Sequence, residues 1–343
     1  MSKHHTDDRP RVLLAMGPGV AERLLTERHR ERLTSLARTD PRLVAHDLTD
    51  PSPAVMAALA SADALLTCWG APPLTAGVLA GAPRLRAVVH AAGSVKHHIT
   101  DACWERGISV SSAAGVNALP VAEYTLAAIL FAGKGVLASA RRYARSRSLD
   151  GQAEALADLG NHGRTVGIVG ASRIGRRAIE LLRPFDLRVL LYDPFCTTAD
   201  AEALGVVRVD LDELCRASDI VSVHAPEVPE TRRMIDGRRL ALMRDGTTLI
   251  NTSRGSLVDE QALIDELSAG RLHAVLDVTE SEPPPVDSPL YELPNVLLTP
   301  HVAGSLGNEL HRMADFALDE LERFGRGLTF AEPVPIESLD RSA

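Results

Sequence analysis

The sequence is poor in several residue types, and each shortage narrows the classes of protein it can represent. Aromatic residues make up only 3% of its 343 positions, so a site built from stacking platforms is not expected. Among its 37 lysines and arginines, only Lys3, Lys96 and Lys134 are lysines. The net charge of −8 argues against nucleic acid and anionic membranes as partners, although an acidic surface still allows a pocket for a small anion.

Long apolar runs and paired cysteines are also absent. The nearest approach to a membrane span, 119–137, is interrupted by Glu123 and Lys134 and falls short of about 18 continuous apolar residues. The first ten residues are polar and do not resemble a signal peptide. The four cysteines have no Cys-x-x-Cys spacing, which indicates neither a metal site nor a disulfide framework. These features predict a cytoplasmic protein with reduced, buried thiols.

Short, continuously apolar segments alternate with helical patterns over almost the whole chain. Such segments are buried on both faces, as the strands of parallel sheets are, so we expect an α/β protein with two domains. The predicted strands are 12–15, 64–67, 87–89, 108–110, 165–169, 187–192, 220–223, 248–250, 274–278 and 296–298. The predicted helices include 21–37, 173–183, 211–217 and 260–269, with a last amphipathic helix over 307–324.

A long helix is predicted over 119–145. It begins beside Pro120, which a first helical turn tolerates. Apolar residues occupy nearly all sides of this predicted helix, which indicates burial between domains or subunits. The segment 146–163 that follows is polar and shows no strong pattern.

Residues 165–177 are typical of a strand, a tight turn and the start of a helix. Gly170 and Gly175 occupy the first and third glycine positions of the dinucleotide fingerprint G-x-G-x-x-G, and Ser172 occupies the second. The Cβ of Ser172 would lie where a pyrophosphate approaches and could weaken its binding, although the hydroxyl could also donate to a phosphate oxygen. The alternative is a tight turn that serves only packing.

Asp193 ends the strand after this turn. A carboxylate there can accept both ribose hydroxyls and would repel a 2′-phosphate, which favours NAD over NADP. With strand, helix and acidic strand end all in place, the sequence predicts dinucleotide binding.

Three later loops each follow a predicted strand, and they contain Arg254, Glu282 and His301. Because ligands of parallel sheets bind at the carboxyl ends of the strands, we expect these loops to converge on one crevice. A histidine supported by a carboxylate can move a proton to or from an oxygen, and an arginine can hold a carboxylate. Taken singly, Arg254 could cap a helix or solvate a loop, Glu282 could be a solvated turn residue, and His301 could be packed in a core.

With these residues in view, the chain resembles the D-isomer-specific 2-hydroxyacid dehydrogenase family over nearly its whole length. The matching motifs, most specific between Val121 and Ser305, are Val121-Ala-Glu, Thr165-Val-Gly-Ile-Val-Gly, His224-Ala-Pro with Thr231, Asn251-Thr-Ser-Arg254-Gly, Leu276-Asp277-Val, Glu282-Pro and Thr299-Pro-His301.

The resemblance implies roles for individual residues. Arg254, Glu282 and His301 would be catalytic. Backbone amides near Gly93 and Ser94, together with Arg254, would bind the substrate carboxylate. The NAD contacts would be Gly170, Ser172, Arg173, Ile174, Gly175, Asp193, His224, Ala225, Pro226, Thr231, Thr252, Ser253 and Asp277.

The resemblance also implies an architecture and an assembly. A Rossmann NAD-binding domain, 118–303, would be inserted into a smaller flavodoxin-like substrate domain made of 1–117 and 304–343, both with doubly wound parallel sheets. A homodimer would form through the 119–145 helix. The activity expected is interconversion of a D-2-hydroxy acid and its 2-keto acid with NAD, without nucleic acid, membrane or metal.

Three departures from the family pattern qualify this expectation. Ser172 replaces a glycine, Glu227 stands where an apolar residue commonly covers the adenine, and Val95 and His97 replace a glycine and an aspartate of the substrate loop. Lys96, His97 and His98 could therefore meet a second anionic group of the substrate, or all three could face solvent.

Two other functions remain open from the sequence. The first is a non-catalytic NAD(H)-sensing module of corepressor type, which would keep the same fold and many of the same residues. The second is formate or phosphite oxidation, which is less favoured because the formate enzymes have glutamine where this chain has Glu282.

Overall fold

The computed structural model describes residues 7–336, with twelve strands and fourteen α-helices. The strands are β1 Val12–Ala15, β2 Val44–Ala45, β3 Ala64–Thr67, β4 Ala87–His90, β5 Ser109–Ser112, β6 Thr165–Val169, β7 Arg188–Tyr192, β8 Val207–Arg208, β9 Ile220–Val223, β10 Thr248–Asn251, β11 His273–Leu276 and β12 Val296–Leu298. The helices are α1 Val20–Leu24, α2 Glu27–Leu36, α3 Pro53–Ser61, α4 Ala76–Ala80, α5 Asp101–Glu105, α6 Ala114–Gly133, α7 Val136–Ser146, α8 Gln152–Leu156, α9 Arg173–Leu182, α10 Thr198–Leu204, α11 Leu211–Ala217, α12 Gly237–Leu242, α13 Glu260–Ser268 and α14 Leu310–Gly325.

The described chain divides into two compact units. The first contains residues 7–117 and 305–336, and the second contains residues 118–304. The ends of the predicted substrate domain, 1–6 and 337–343, lie outside the described residues. All four cysteines are described, and each is buried and free.

The first unit is built on a five-stranded parallel sheet in the order β2-β1-β3-β4-β5, the flavodoxin-like order. Apolar side chains of β1, β3 and β4 fill the core on both faces, as their continuous apolar sequences predict. Helix α14 returns from the far end of the chain and buries Leu310, Met313 and Leu318 in one of these cores. The last helix therefore completes the unit that the first residues begin.

The second unit is built on a seven-stranded parallel sheet in the order β12-β11-β10-β9-β6-β7-β8. From β6, the sheet continues through β7 and β8 on one side and through β9 to β12 on the other. The order in which strands are added therefore reverses between β6 and β9. In open α/β sheets this switch point is where a crevice for a ligand forms at the carboxyl ends of the strands. The two parallel sheets confirm the predicted fold class.

Two helices that were predicted to be continuous are each broken into two, so these predictions are wrong. The helix predicted over 21–37 is broken into α1 and α2, because Thr26 caps a new helix with its side chain and the backbone of Leu25 is extended. The helix predicted over 119–145 is also two helices, α6 and α7, and Gly135 lies between them in the left-handed conformation with φ of 56°. In addition, the segment 146–163 contains the short helix α8.

Helix α6 is the longest apolar element of the described chain. By its 20 residues and a mean hydropathy of 1.4 it meets the length and composition criteria for a membrane span, although the sequence predicted none here. A core helix of a globular unit meets the same criteria. In the 18-residue window of α6 that gives this hydropathy, 39% of the residues are buried. Within the second unit, α6 packs Ala128 and Ile129 against β6 and its neighbours.

Candidate active site

The carboxyl ends of six neighbouring strands form one row across the second sheet. Hydrogen-bonded register aligns the last residue of each strand with that of the next, in the order Tyr192, Val169, Val223, Asn251, Leu276 and Leu298. Predicted site residues follow most of these ends directly, as Asp193, Gly170, His224, Thr252 and Asp277 do. Parallel pairing therefore brings residues separated by more than a hundred positions to one edge of the sheet.

The glycine turn lies at the switch point between β6 and β9. Gly170 has φ of 101°, and a Cβ on it would lie 2.8 Å from the carbonyl carbon of His224 and from the amide of Ala225. A Cβ on Gly175 would overlap the carbonyl oxygen of Gly170. Both glycines are therefore required by close backbone approaches, as the dinucleotide fingerprint predicts.

Ser172 is the N-cap of α9 and accepts a hydrogen bond through Oγ from the amide of Gly175 at 3.2 Å. The serine in the second glycine position therefore has a local structural function. Arg173 and Ile174 form the first residues of this helix, so their backbones lie at the end that favours an anion.

Asp193 lies directly after β7 and is tied to the glycine turn. Its Oδ2 accepts from the amide of Ala171 at 2.7 Å, and its Oδ1 accepts from the amides of Phe195 at 2.8 Å and Cys196 at 3.2 Å. These bonds hold the carboxylate beside the turn. The acceptor oxygens of Asp193 and the two glycines fit a dinucleotide with a free 2′-hydroxyl.

The loop after β9 is folded by its own side chains. Thr231 donates through its hydroxyl to the carbonyl of Pro226 at 2.7 Å, which closes the turn after His224-Ala225-Pro226. His224 is buried, and its Nε2 lies 2.9 Å from the hydroxyl of Ser222, while its Nδ1 has no hydrogen-bond partner among the described residues. Burial lowers the pKa of His224 to about 4, so the imidazole is neutral.

The loop after β10 carries Arg254. Asn251 holds it, because its side-chain amide donates to the carbonyl of Arg254 at 2.8 Å and its Oδ1 accepts from the amide of Ser253 at 3.1 Å. The hydroxyl of Ser253 donates to the carbonyl of Val223 at 2.8 Å, and the hydroxyl of Thr252 lies 3.4 Å from that of Thr125. Ser253 thus joins this loop to the end of β9.

The loops after β10 and β11 touch at Gly255. A Cβ there would overlap the carbonyl group of Thr279 and the amide of Glu280, so only a glycine allows this contact. Arg254 directly precedes Gly255, and its Nη1 donates to the carbonyl of Ser253 at 2.6 Å. The close approach brings the Arg254 loop against the loop that carries Glu282.

Asp277 joins the loops after β11 and β12. Its buried carboxylate accepts from the hydroxyl of Thr299 at 2.6 Å and from the amides of Val302 and Ala303, each at 2.8 Å. The amide of His301 donates to the carbonyl of Asp277 at 3.0 Å. His301 has φ of 53°, a left-handed conformation that is uncommon for a residue other than glycine, and the bonds to Asp277 hold it there.

The side chains of His301 and Glu282 are joined by a hydrogen bond. Nδ1 of His301 lies 2.8 Å from Oε2 of Glu282, and the two side chains are 50% and 42% exposed. The acid that pairs with the histidine is therefore Glu282. Glu280 instead forms ion pairs with Arg232 and Arg233. The bond through Nδ1 leaves Nε2 of the imidazole for a ligand.

In the first unit, the predicted substrate loop 91–98 follows β4. Gly93 and Ser94 are half-buried, and Lys96 and His97 are exposed. His98 is buried, so the alternative in which Lys96, His97 and His98 all face solvent is wrong for His98. Among residues 7–336, no cluster of three or more histidine, cysteine, aspartate or glutamate side chains could hold a metal ion.

A family profile described as "D-isomer specific 2-hydroxyacid dehydrogenase, NAD binding domain" matches residues 126–303, more than half of the chain. The chain belongs to the D-isomer specific 2-hydroxyacid dehydrogenase family. This membership confirms the resemblance found in the sequence and identifies the second unit as the one with the NAD-binding domain.

Three similar proteins illustrate the range of identity, which is 25–38% over the residues that align with this chain. A D-3-phosphoglycerate dehydrogenase of Mycobacterium bovis is 38% identical over 255 residues, which are 73% of this chain and 47% of that protein. A glyoxylate reductase of Korarchaeum cryptofilum is 37% identical over 258 residues, which are 74% of this chain and 77% of that protein. The crystal structure of a phosphoglycerate oxidoreductase from Rhizobium etli is 25% identical, covers 96% of this chain and 100% of its own, and has a TM-score of 0.81.

This member of the family spans about half the length of the D-3-phosphoglycerate dehydrogenases that it matches. Sequence reasoning missed several residues that organise its site, namely Asn251, Gly255 and Thr299. Their signal was present, since all three belong to the motifs that carry the resemblance. Tyr124, which is 2.9 Å from the hydroxyl of Thr299, had no such signal.

Proposed function

We propose that the chain is an NAD-dependent oxidoreductase that interconverts a D-2-hydroxy acid and its 2-keto acid. The observation that carries the proposal is the 2.8 Å hydrogen bond between His301 and Glu282, in a loop whose backbone Asp277 holds. A histidine oriented by a carboxylate is suited to general acid–base catalysis. Arg254 lies on the loop that packs against the Glu282 loop.

Each residue has a distinct role in this proposal. In the direction of reduction, Nε2 of His301 donates a proton to the carbonyl oxygen while Glu282 accepts a hydrogen bond from Nδ1 and stabilises the imidazolium. Arg254 holds the substrate carboxylate with the remaining donors of its guanidinium. The amides of Gly93 and Ser94 bind a carboxylate in the same way that backbone donors bind other anions.

The fit of the dinucleotide rests on the glycine turn and Asp193. When bound there, NADH supplies the hydride that reduces the carbonyl carbon. The amino end of α9 favours the binding of an anion, and Asp193 is bonded to the glycine turn. From this position its carboxylate would accept hydrogen bonds from the ribose hydroxyls and would repel a 2′-phosphate. We therefore expect NADH to be used in preference to NADPH.

A panel of 2-keto acids followed by NADH absorbance tests the activity. The panel includes glyoxylate, pyruvate and 3-phosphohydroxypyruvate, which represent substrates with and without a second anionic group. Each acid is measured with NADH and with NADPH. Binding of NADH without turnover of any acid would instead favour a sensing module of corepressor type, and a preference for NADPH would contradict the role of Asp193.

The variant His301→Gln tests the catalytic assignment. Loss of the acid–base group is expected to lower kcat by about two to four orders of magnitude while NADH affinity, measured by its fluorescence, stays unchanged. His162→Gln is the matched control, because the side chain of His162 is 92% exposed and belongs to no predicted site. Full activity of His301→Gln would overturn the assignment.

A further inference from the structure

A buried polar cluster lies beneath loop 91–98 in the first unit, and none of the chemistry described above uses it. Thr67 and His90 are the last residues of β3 and β4, and they are register partners in the sheet. His98 is the last residue of the loop. The three residues are 1%, 3% and 3% exposed, respectively, so their polar atoms depend on one another and on the loop for hydrogen bonds.

The hydroxyl of Thr67 connects the two imidazoles. Its Oγ1 lies 2.9 Å from Nδ1 of His90 and 3.4 Å from Nε2 of His98. The two rings are 4.4 Å apart between centroids and inclined by 36°. A single hydroxyl can donate to one ring and accept from the other, so Thr67 satisfies both.

Backbone and side-chain hydrogen bonds of the cluster, and of Cys68 beside it, reach the loop at its beginning, middle and end. At the beginning, the amide of Ala91 donates to the carbonyl of Thr67 at 2.7 Å, and Sγ of Cys68 donates to the carbonyl of Ala91 at 3.1 Å. In the middle, His90 hydrogen-bonds the backbone of Ser94. At the end, the amide of His98 donates to the carbonyl of Val95 at 3.2 Å.

The cluster holds the loop through hydrogen bonds rather than through charge. Burial lowers the pKa of His98 to about 4, with a smaller contribution from the exposed His97. Burial likewise lowers the pKa of His90, and the neighbouring imidazole of His98 lowers it further. Two neutral, buried rings cannot attract an anion themselves, but they can fix the backbone that does.

We propose that Thr67, His90 and His98 are positioning residues that set the conformation of loop 91–98, and thereby the direction of the amides of Gly93 and Ser94. The inference rests on the proposed role of those two amides as binders of the substrate carboxylate. A binding loop gains affinity when its supporting contacts fix it beforehand, so loss of the cluster should weaken carboxylate binding and leave NADH binding intact.

The experiment compares Thr67→Val, which is nearly the same shape and lacks the hydroxyl, with Thr67→Ser, which retains it. Binding of oxamate, a non-reacting analogue of a 2-keto acid, is measured by calorimetry on the full chain saturated with NADH. We expect Thr67→Val to bind oxamate about tenfold more weakly and Thr67→Ser to bind within about twofold of wild type, as loss of one buried hydrogen bond predicts. The affinity for NADH should be equal in all three proteins.

Because the readout is binding, its result is separate from that of the keto-acid panel. A wild-type chain that turns over nothing contradicts the proposed activity, whereas the oxamate comparison still decides the role of the cluster. Equal oxamate affinity in Thr67→Val and Thr67→Ser overturns the inference, and so does a wild-type chain that binds no oxamate. If Thr67→Val does not fold, the pair His98→Leu and His98→Gln decides by the same criterion, because glutamine can replace the polar Nε2.

Discussion

At the scale of single residues, Asp277 determines where the imidazole of His301 lies. Its carboxylate collects three donors from the loop after β12, and its own carbonyl accepts from the amide of His301. The sequence placed Asp277 at the right strand end but assigned it to cofactor binding. Its partners are backbone amides 25 and 26 residues further along, and no local pattern reveals such bonds.

The variant Asp277→Asn tests this anchoring. The NH2 group of asparagine would face one of the amides of Val302 and Ala303, donor against donor, so the free energy of unfolding should fall by about 2 kcal/mol or more. Because His301 would lose its position, turnover should fall by about a hundredfold. Urea unfolding followed by circular dichroism and steady-state kinetics measure the two effects.

Glu280→Gln is the control for the same strand end. Glu280 is partly exposed and pairs with Arg232 at 2.7 Å, an ion pair that contributes about 1 kcal/mol or less. We expect this variant to keep wild-type stability within that limit and nearly full turnover. Equal behaviour of Asp277→Asn and Glu280→Gln would show that the buried anchor has no special role.

At the scale of elements, ten of the twelve strands could be predicted from the sequence, and the two shortest could not. Strands such as β1, β6 and β9 are mostly apolar runs, and their predicted bounds agree with the structure. The edge strands β2 and β8 have two residues each, too few to form a pattern, and they were missed. The first helix breaks because Thr26 caps a new helix, and the second breaks because Gly135 is left-handed. The apolar pattern continues across both positions, so it does not reveal either break.

Helix α9 allows a prediction about the unusual serine of the glycine turn. Ser172→Ala removes the N-cap and should lower the free energy of unfolding by about 1 kcal/mol, whereas Ser172→Gly should lower it by only a few tenths. In Ser172→Gly the amide of Gly175 no longer donates to Oγ, and the Cβ is gone. We therefore expect about two- to fivefold tighter NADH binding in that variant.

The two substitutions control for each other, because both remove the hydroxyl and only one removes the Cβ. Urea unfolding and NADH fluorescence titration measure stability and affinity on the same samples. Weaker NADH binding by Ser172→Gly than by wild type would instead indicate that the serine hydroxyl itself donates to the dinucleotide.

At the scale of the whole molecule, the two units differ in their content of tryptophan. Both tryptophans, Trp69 and Trp104, belong to the first unit. The first unit also contains the buried imidazoles of His29, His90 and His98, and burial lowers the pKa of each of them. Tryptophan fluorescence therefore reports on the unit whose stability these histidines influence.

Acidification should destabilise the first unit. Burial lowers the pKa of His98 to about 4, so between pH 6.5 and 4 the unfolded chain binds a proton that the folded chain does not. The stability is therefore complete above pH 6.5 and is lost as the pH falls. In this range His98 contributes a slope of about 1.4 kcal/mol per pH unit.

Urea unfolding monitored by tryptophan fluorescence between pH 7.5 and 4.5 measures this slope. His98→Gln should show a shallower dependence than wild type, because one buried imidazole is gone. His162→Gln should follow the wild-type curve. A wild-type stability that is independent of pH in this range would contradict the neutral, buried state of these histidines.

We also propose that the chain forms a homodimer through α6 and α7. No residue of α7, all of which the structure describes, is buried, and Phe131 of α6 is 54% exposed. Phe131 and Leu159 line an apolar groove of about 460 Å³ beside these helices. Such an apolar surface is typical of an interface.

Light scattering after gel filtration tests the dimer. Wild type should have twice the 36.7 kDa chain mass, and Phe131→Glu should shift it towards the monomer because a charge would be buried. Val286→Glu, at a side chain 99% exposed, should leave the mass unchanged. A monomeric wild type would contradict the proposal.

The exposure of Lys96 on loop 91–98 has a chemical consequence, because the sequence contains only two other lysines, Lys3 and Lys134. Amine-directed reagents, which modify most proteins at many places, have few targets in this arginine-rich chain. One of those targets lies two residues after Ser94. A fluorophore or an acetyl group introduced at Lys96 would therefore report on, or obstruct, this loop without any substitution in the chain.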